Sequence, residues 1–485
     1  MSAKELEKRL SGYKFFPESG RACWYCYEYP IMQQAVELGK PWAINHKNID
    51  TSFGSYSSDH IVKWFLIAND EKEFIDFIQR YLSKPNLLED LRADTEDFKK
   101  HSVNLVKDKD FSTYTNIELG SILSDYFDIY KQFFKSTMTL RKIDRGVIAA
   151  LRKGFPADKA DEIIRTVSIT SEPSFSLREE FDVLNLAIII KEKGLSLDSA
   201  EIKKGLKGIM EKYAWSVLGY YKELPNTEES YRIRLAKLVN ENPELLLESF
   251  NSRAKEDNQN RSNLLKGFSD EQKKVAHIAS SVAFLKDFTK SQINESEYHS
   301  EPLFLEIAKR TGKKPDYIKD LNSEEVKILL AGEKIDEALV RQRIKENFVI
   351  ALQGELYILT GADAAHIKQK YLEPVNKDNK EFKGRVASAG YAKGRAVVVH
   401  DVGDFGKVLD GDILVVMNTS PDFMPIIRKA KAIVAEEGGI TAHVSVVSRE
   451  FGLPCIVGIN HITKLIKDGN EVEVDANKGI VKIIK

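Results

Sequence analysis

The sequence is short of cysteine, of long apolar runs and of net charge. Its three cysteines are an odd number in 485 residues, so no disulfide framework is predicted. The most apolar run, near Val183–Ile190, contains Asn185 and is far shorter than the roughly 20 residues that a membrane-spanning helix needs. The N-terminus, MSAKELEKRL, is charged and lacks the apolar stretch of a signal peptide. We therefore expect a cytoplasmic protein with no membrane partner.

The charges of the chain nearly cancel. It carries 72 lysines and arginines against 73 aspartates and glutamates. A chain with so little net charge does not attract nucleic acid through bulk electrostatics, so we expect no nucleic-acid partner. The length allows two to four domains with full-sized cores.

Glycine is scarce in the first 380 residues and frequent afterwards. Twelve of the 28 glycines lie between Gly384 and Gly479. The earlier part has the apolar period of helices, as in residues 271–285, where apolar residues recur three or four positions apart. The sequence therefore predicts an α+β multidomain protein, in which a large, mostly helical N-terminal region is followed by a C-terminal α/β domain.

Four segments follow from this change in composition. Residues 1–225 and 226–372 are predicted to form two helical regions. Residues 373–383, EPVNKDNKEFK, are polar and lack an apolar period, which predicts an exposed linker. Residues 384–485 contain short β-branched runs bounded by glycines, which predict the buried strands of a compact domain.

The stretch that carries the clearest chemistry spans residues 436–458, EEGGITAHVSVVSREFGLPCIVG, and follows a short strand predicted over Ala432–Ala435. Gly438 and Gly439 permit a tight turn with positive φ. Thr441 stands where a helix N-cap belongs, and His443 is expected at about the second helical position. The sequence therefore predicts a histidine at the N-terminus of a helix that packs on the sheet.

A helix N-terminus suits a phosphoryl group carried on His443. The N–H groups of the first turn lack partners within the helix and lie at the positive end of its dipole. Together with the Thr441 hydroxyl they could hold a dianion, while Gly438 and Gly439 leave room for another reactant. Neutral imidazole is a competent nucleophile near neutral pH, since its ordinary pKa is about 6.5. A histidine after two glycines is by itself more often structural, so the surrounding pattern has to decide.

That pattern favours a catalytic histidine. Residues 384–485 resemble, across their whole length, the swivelling phosphohistidine domain of the phosphoenolpyruvate (PEP)-utilising enzyme family. The resemblance covers GRVASAGYAKG, TSPDFMP and GGITAH, and then Arg449, Gly452, Pro454 and Gly458. In that family the histidine that matches His443 accepts a phosphoryl group at one site and carries it to another by rotation of the domain. Arg449 belongs to the motif, but its role is less defined.

The order of a helical region and a histidine domain resembles that of rifampicin phosphotransferases and PEP synthase-like proteins. In the family an ATP-grasp domain phosphorylates the histidine from ATP. Residues 1–380 have neither the α/β alternation of that domain nor a glycine motif such as GxxxxGK[ST], and no PEP-binding barrel is expected because the chain ends with the histidine domain. The resemblance therefore implies one subunit of a split phosphotransferase, which binds no metal or cofactor itself. An ATP-grasp partner in trans would supply ATP and Mg²⁺, and the helical region, residues 1–225 above all, would bind a small-molecule acceptor.

Other patterns are better explained by packing or by solvation. Cys23 and Cys26 form a CxxC, but a zinc site needs about four ligands and one cysteine pair fixes little. His277 lies within an apolar helical period and is predicted to be buried. Arg341 and Arg343 lie on a charged helix, where a solvated face is the default alternative to a phosphate contact.

The N-terminal part is also rich in aromatic residues. Trp24, Trp42 and Trp64 either line an acceptor pocket or form the core of the first lobe, and general burial preferences favour the core. His46 and His60 are candidate bases on the acceptor side, although ordinary surface or core histidines are more common.

Two other classes of function stay open at this point. The C-terminal domain could serve as a non-catalytic docking module, or the chain could be a self-sufficient kinase for an antibiotic or a small alcohol. The complete GGITAH motif favours the phosphoryl carrier over the docking module. A self-sufficient kinase would need an ATP site that the sequence does not display.

Overall fold

The structure is a computed structural model that describes residues 3–11, 14–22, 52–58, 61–68, 72–82, 86–170, 172–218, 225–352, 355–372, 380–400, 402–419, 423–436, 438–439, 442–459 and 461–484. The helices are α1 (Ala3–Arg9), α2 (Lys72–Leu82), α3 (Leu87–Val106), α4 (Asn116–Gly154), α5 (Ala157–Val167), α6 (Phe175–Lys193), α7 (Ala200–Tyr213), α8 (Glu228–Asn240), α9 (Pro243–Lys266), α10 (Asp270–Thr311), α11 (Pro315–Lys319), α12 (Ser323–Leu330), α13 (Glu337–Lys345), α14 (Gly361–Leu372), α15 (Met424–Ile427), α16 (His443–Phe451) and α17 (Ile462–Leu465). The strands are β1 (Lys14–Ala22), β2 (Ser52–Ser58), β3 (Ile61–Ala68), β4 (Asn347–Leu352), β5 (Glu355–Thr360), β6 (Glu381–Lys383), β7 (Arg385–Ser388), β8 (Tyr391–Val399), β9 (Ile413–Val416), β10 (Ala432–Ala435), β11 (Cys455–Val457), β12 (Glu471–Asp475) and β13 (Ile480–Ile483). Among the helices in these ranges, none is long and apolar enough to cross a bilayer.

The chain divides into two compact units. The first contains residues 1–146 and 295–377, and the second contains residues 147–294 and 378–485. The second unit therefore joins part of the predicted helical region to the predicted α/β domain. Residues 373–379 of the predicted linker lie outside the described residues, and Glu381–Lys383 forms β6, which pairs with β13. The boundary between residues 225 and 226 stays a prediction.

The first unit contains helices and an antiparallel sheet in the order β1-β3-β2-β4-β5. All six residues of β4 are buried, and Phe348 and Ile350 pack with Leu6 of α1 and Ile367 of α14. The mostly helical character of the N-terminal region is confirmed, but the sequence analysis missed this sheet. A short apolar run such as NFVIAL does not by its periodicity distinguish a strand from a buried helical segment.

The second unit contains an eight-stranded mixed sheet in the order β6-β13-β12-β8-β9-β10-β11-β7. Its central strands β8, β9, β10 and β11 are parallel, and the outer pairs are antiparallel. Successive side chains of a strand point to opposite faces, so Leu414 and Val416 of β9 pack with α16 on one face. Ile413 and Val415 pack on the other face with Ile462 of α17. The predicted C-terminal α/β domain is confirmed, and β10 has the predicted bounds.

The helices of the second unit form a separate apolar core between α6, α7 and α8. Helix α6 begins after Ser174, whose side chain accepts a hydrogen bond from the N–H of Leu177, and it ends at Gly194 in the left-handed conformation. Its first turn also contacts the sheet domain through Ser174.

Candidate functional site

The candidate site lies at the carboxyl edge of the parallel strands. Thr419 follows β9, Glu436 follows β10 directly and Gly458 follows β11 directly, so the topology brings residues from three separate segments to one edge. Ligands of open α/β sheets bind at this edge, because the loops that leave the strands converge there.

His443 is the first residue of α16, which follows the glycine turn after β10. Its N-cap is Ala442, one position later than the predicted cap, and Thr441 lies outside the described residues. Ala442 has no side chain that could cap the helix. The carbonyl of Gly439 instead accepts hydrogen bonds from the N–H of Ala442 at 3.0 Å and from the Ser445 hydroxyl at 2.7 Å. The turn is thereby tied to the helix that carries the histidine.

The two glycines of the turn have different roles. Gly438 has φ of +112°, and a Cβ there would lie 3.3 Å from the Cβ of Ala442 and 3.6 Å from Cγ1 of Val444. Gly439 does not have a positive φ, and a Cβ there would first meet Cδ1 of Ile148, at 4.0 Å. The predicted positive φ is therefore confirmed for Gly438 and wrong for Gly439. Gly439 matters by leaving one side of the turn uncrowded.

The imidazole of His443 is half-buried and is held by Thr419. Its Nδ1 lies 3.2 Å from Oγ1 of Thr419, which is itself buried. When Nδ1 carries the ring proton and donates to Oγ1, the lone pair of Nε2 is the nucleophile. Thr419 belongs to the TSPDFMP segment but was not singled out as a site residue. The available signal was a hydroxyl residue in the loop that follows a wholly apolar strand.

A buried carboxylate stands between the strand and the turn. Glu436 accepts a hydrogen bond from the hydroxyl of Thr463 at 2.5 Å, and its backbone N–H donates to the carbonyl of Val416 at 2.8 Å. Nδ1 of His461 lies 4.0 Å from the carboxylate. These contacts connect the end of β10 to the end of β9 and to the start of α17, so Glu436 fixes the base of the turn. Sequence reasoning missed it, although a glutamate directly after four apolar strand residues was a signal.

Arg385 places a permanent positive charge beside the turn. This exposed residue begins β7 and pairs with Val457 of β11. The position that a Cβ on Gly458 would occupy is 3.8 Å from Nε of Arg385 and 3.9 Å from the carbonyl oxygen of Gly438. Arg385 is therefore a neighbour of the turn that the sequence analysis passed over. Its signal was its place in GRVASAG, within the segment whose sequence resembles the family.

Arg449 lies at the other end of α16 from His443. They are six positions apart along the helix, which is a rise of about 9 Å. Its Nη1 donates to the carbonyl of Ala387 at 3.4 Å, and its own carbonyl accepts from Nη1 of Arg253 at 3.4 Å. Burial lowers the pKa of Arg449 to about 10, although Glu450 favours the charged form. The structure thus ties Arg449 to β7 and α9 and does not bring it to the histidine.

The structure bears differently on each of the weaker candidates that the sequence offered. Outside the described residues lie Cys23, Cys26, Trp24, Trp42, His46 and His60, while Trp64 lies in β3. His277 is exposed, so the prediction that it is buried is wrong. Arg343 is buried and donates to both carboxylate oxygens of Glu325, at 3.0 and 2.9 Å, so a solvated face is the wrong explanation for it. Arg341 is exposed, as a charged surface predicts.

Fold and site together define an α/β domain that presents a histidine at the carboxyl edge of its parallel strands. A family model described as "PEP-utilising enzyme, mobile domain" matches residues 408–479, which include His443. The resemblance drawn from the sequence is thus confirmed for these residues, and this part of the C-terminal domain is similar to that mobile domain. Residues 384–485 are called the mobile domain below.

Curated relatives share part of the chain. Over 132 residues this chain is 42% identical to the phosphoenolpyruvate synthase of Pyrococcus furiosus. The matched residues are 26% of this chain and 16% of that protein. This chain is 33% identical over 194 residues to the phosphoenolpyruvate synthase of Aeropyrum pernix, with coverages of 37% and 24%. It is 40% identical over 101 residues to the rifampicin phosphotransferase of Bacillus cereus, with coverages of 21% and 12%. The chain thus matches less than a quarter of the length of each of these relatives.

Proposed function

We propose that this chain is the phosphoryl-carrying part of a phosphotransferase of the PEP synthase and dikinase type, with His443 as the carrier. The observation that supports this most directly is the hydrogen bond between Nδ1 of His443 and the Thr419 hydroxyl, at 3.2 Å. It orients a half-buried imidazole at a helix N-terminus, in the segment that matches the mobile domain.

The chemical step is a displacement at phosphorus. Nδ1–H of His443 donates to Oγ1 of Thr419, and the lone pair of Nε2 attacks a phosphoryl group of ATP. The N–P bond forms while the P–O bond to the nucleotide breaks, and the bonding electron pair leaves with the nucleotide oxygen. In the second half-reaction an acceptor oxygen attacks the same phosphorus and Nε2 leaves, which restores the imidazole.

The described residues supply means to hold the phosphoryl group between the two steps. The first turn of α16 lies at the positive end of a nine-residue helix. Gly438 keeps the turn close to that helix, and Arg385 adds a permanent cation on the far side of the turn. Thr441 completes this proposed set, as the sequence predicts. The role of Arg449 in the proposal is to anchor the helix and not to contact phosphate.

The proposal assigns ATP to a partner. An ATP-grasp protein in trans would bind ATP and Mg²⁺ and phosphorylate His443, and the domain would then move toward an acceptor on the part of the predicted 373–383 linker that precedes β6. We assign a small-molecule acceptor to the helical region. Cδ1 of Ile148, in α4, lies 4.0 Å from the position that a Cβ on Gly439 would occupy. Helical residues therefore border the histidine turn, which supports this assignment.

A labelling experiment tests the proposal. The full chain is incubated with ATP labelled at the β or the γ phosphorus, alone and with the ATP-grasp protein encoded beside it. We expect acid-labile, base-stable label on the wild-type chain when the partner is present, and none on His443→Ala. His277→Ala, at an exposed histidine of α10, serves as the matched histidine control and should still be labelled.

The outcomes separate the classes of function. Absence of label under every partner condition would refute the carrier role and favour a docking module. Label on the wild type without a partner would refute the assignment of ATP to a second protein and favour a self-sufficient kinase. Label that persists in His443→Ala would refute the assignment of the residue.

A further inference from the structure

The first turn of α6 binds two carboxylates from different parts of the second unit. Glu450, at the end of α16, accepts hydrogen bonds from the N–H of Ser174 at 2.9 Å and from its hydroxyl at 2.5 Å. Asp287 of α10 accepts a hydrogen bond from the N–H of Phe175 at 3.0 Å. One carboxylate thus belongs to the mobile domain and the other to the helices on which it rests.

Both carboxylates are at least half-buried. Asp287 is buried, and burial together with the nearby charge of Glu450 raises its pKa to about 7. The pKa of Glu450 is also raised by burial, in spite of the hydrogen bonds from Ser174. Two carboxylates at one helix N-terminus favour protonation of one of them, because two like charges in a poorly solvated place repel each other.

The charged surroundings do not cancel this effect. Arg178 of α6 lowers the pKa of both carboxyl groups, and Arg449 of α16 lowers that of Glu450. From α9, Asp257 and Arg253 face Arg449, and the pKa of Asp257 is itself raised by burial. Arg449, the cation of α16 that favours ionisation of Glu450, therefore also favours ionisation of Asp257 and is shared between these two carboxylates.

Two further contacts join the mobile domain to these helices. Nε of Arg428, which follows α15, donates to Glu180 of α6 at 2.9 Å. The ring of Phe451 meets that of Phe250 of α9 edge to face, with the centroids 5.4 Å apart. Neither contact involves a group whose charge changes near neutral pH. Their contribution to docking is therefore the same across this pH range, and the carboxylate pair is the part that varies.

We infer that the first turn of α6 is a proton-dependent docking surface for the mobile domain, in which Asp287 holds a proton while Glu450 is docked at the same helix N-terminus. The inference rests on the proposed function in one respect, since a carrier domain has to leave this surface to reach its phosphoryl donor. It adds to that function a pH condition under which the domain leaves the first turn of α6.

The sign of the pH effect follows from the raised pKa of Asp287. In the docked arrangement Asp287 keeps its proton up to a pH of about 7. When the domain leaves, the charge of Glu450 is gone and water reaches Asp287, so its pKa falls toward the ordinary 3.8. Docking therefore takes up a proton between these values and weakens as pH rises toward 7, by at most about tenfold per pH unit for one proton. Above pH 7 Asp287 is ionised in both the docked and the undocked arrangement, so the pH dependence of docking levels off.

Distances between spin labels on the full chain test the inference. The labels replace exposed Lys204 of α7 and exposed Lys478 between β12 and β13. The background carries Cys23→Ser and Cys26→Ser, and buried Cys455 is kept. The docked fraction is measured by double electron–electron resonance from pH 5 to pH 8.5, in the absence of ATP.

We expect the docked fraction of the wild type to fall between pH 5 and 7 and then to level off. Asparagine has nearly the same shape as aspartate but does not titrate, so the docked fraction of Asp287→Asn should stay high at every pH. Glu450→Gln is the second variant and should reduce the dependence, because it removes the charge of Glu450 but leaves the burial of Asp287. Asp182→Asn, also on α6 and paired with Lys212 at 2.7 Å, is the matched control and should follow the wild type.

A wild-type docked fraction that is the same at every pH would overturn the inference, as would an unchanged pH dependence in Asp287→Asn. The result is separate from that of the labelling experiment. His443→Ala should keep the pH-dependent docking, so a failed labelling experiment with intact pH dependence refutes the carrier role alone. Normal labelling with pH-independent docking refutes the docking inference alone.

Discussion

Thr419→Val tests the contact that orients the carrier histidine. The substitution exchanges a buried hydroxyl for a methyl group of nearly the same shape, in a position whose hydroxyl lies 3.2 Å from Nδ1 of His443. The packing of the domain core is therefore nearly unchanged, while the ring loses its partner. We expect slower phosphorylation of His443 because fewer molecules then present Nε2 in the reactive tautomer and orientation.

The size of the effect follows from the single hydrogen bond that is removed. A neutral hydrogen bond contributes about 0.5–1.5 kcal/mol net. If that free energy is lost from the reactive arrangement, the rate falls roughly two- to tenfold. Thr419→Ser keeps the hydroxyl and should remain within about twofold of the wild type, since it loses only a methyl group.

Two measurements check this prediction. The first is the initial rate of acid-labile labelling with ATP and the ATP-grasp partner. The second is the tautomer of His443, observed by ¹⁵N resonances of labelled histidine and assigned with His443→Ala. Thr166→Val is the matched control, because its hydroxyl bonds to Glu162 of its own helix at 3.0 Å, outside the site. If Thr419→Val and the wild type share one rate and one tautomer, the hydroxyl does not orient the ring and the reasoning fails.

Two further predictions concern the turn. Gly438→Ala should lower the unfolding temperature, because a side chain at φ +112° costs about 1–3 kcal/mol, whereas Gly439→Ala, with its nearest contact at 4.0 Å, should lower it much less; equal losses in thermal unfolding would contradict this. Arg385→Gln should slow labelling of His443 about threefold, the modest value of an exposed charge, and Lys393→Gln on β8 should leave the rate unchanged. A lower labelling rate in both variants would show that the effect is not local to the turn.

The C-terminal domain could be predicted closely from the sequence because its signals are local. Short β-branched runs between glycines predicted the strands, and β10 has the predicted bounds. The Gly-Gly turn predicted the start of α16 to within one residue, which is the usual uncertainty of helix ends. The identity of the histidine needed the motif as well, since a histidine after two glycines is not specific.

The rest of the site depends on contacts between distant segments. Thr419 precedes His443 by 24 residues, and Arg385 reaches the turn only through the pairing of β7 with β11. The sheet of the first unit was missed for the same reason, because β2 pairs with β4 almost 300 residues later. Burial of Arg343 beside Glu325 likewise follows from tertiary packing, which helical periodicity does not contain.

Helix α16 connects the chemistry of the domain with its docking. Its first residue is the proposed carrier His443, and its next-to-last residue, Glu450, binds the first turn of α6. The two ends have different partners: Thr419 at one and Ser174 at the other. A change at Thr419 should therefore alter the rate of phosphorylation without altering docking, and a change at Glu450 should alter docking without changing the intrinsic reactivity of the ring. Because α16 is one rigid element, release of Glu450 from α6 necessarily moves His443 as well. The motif places a histidine at the start of this helix and Arg449-Glu450 near its end. These two ends should therefore be treated as one coupled unit.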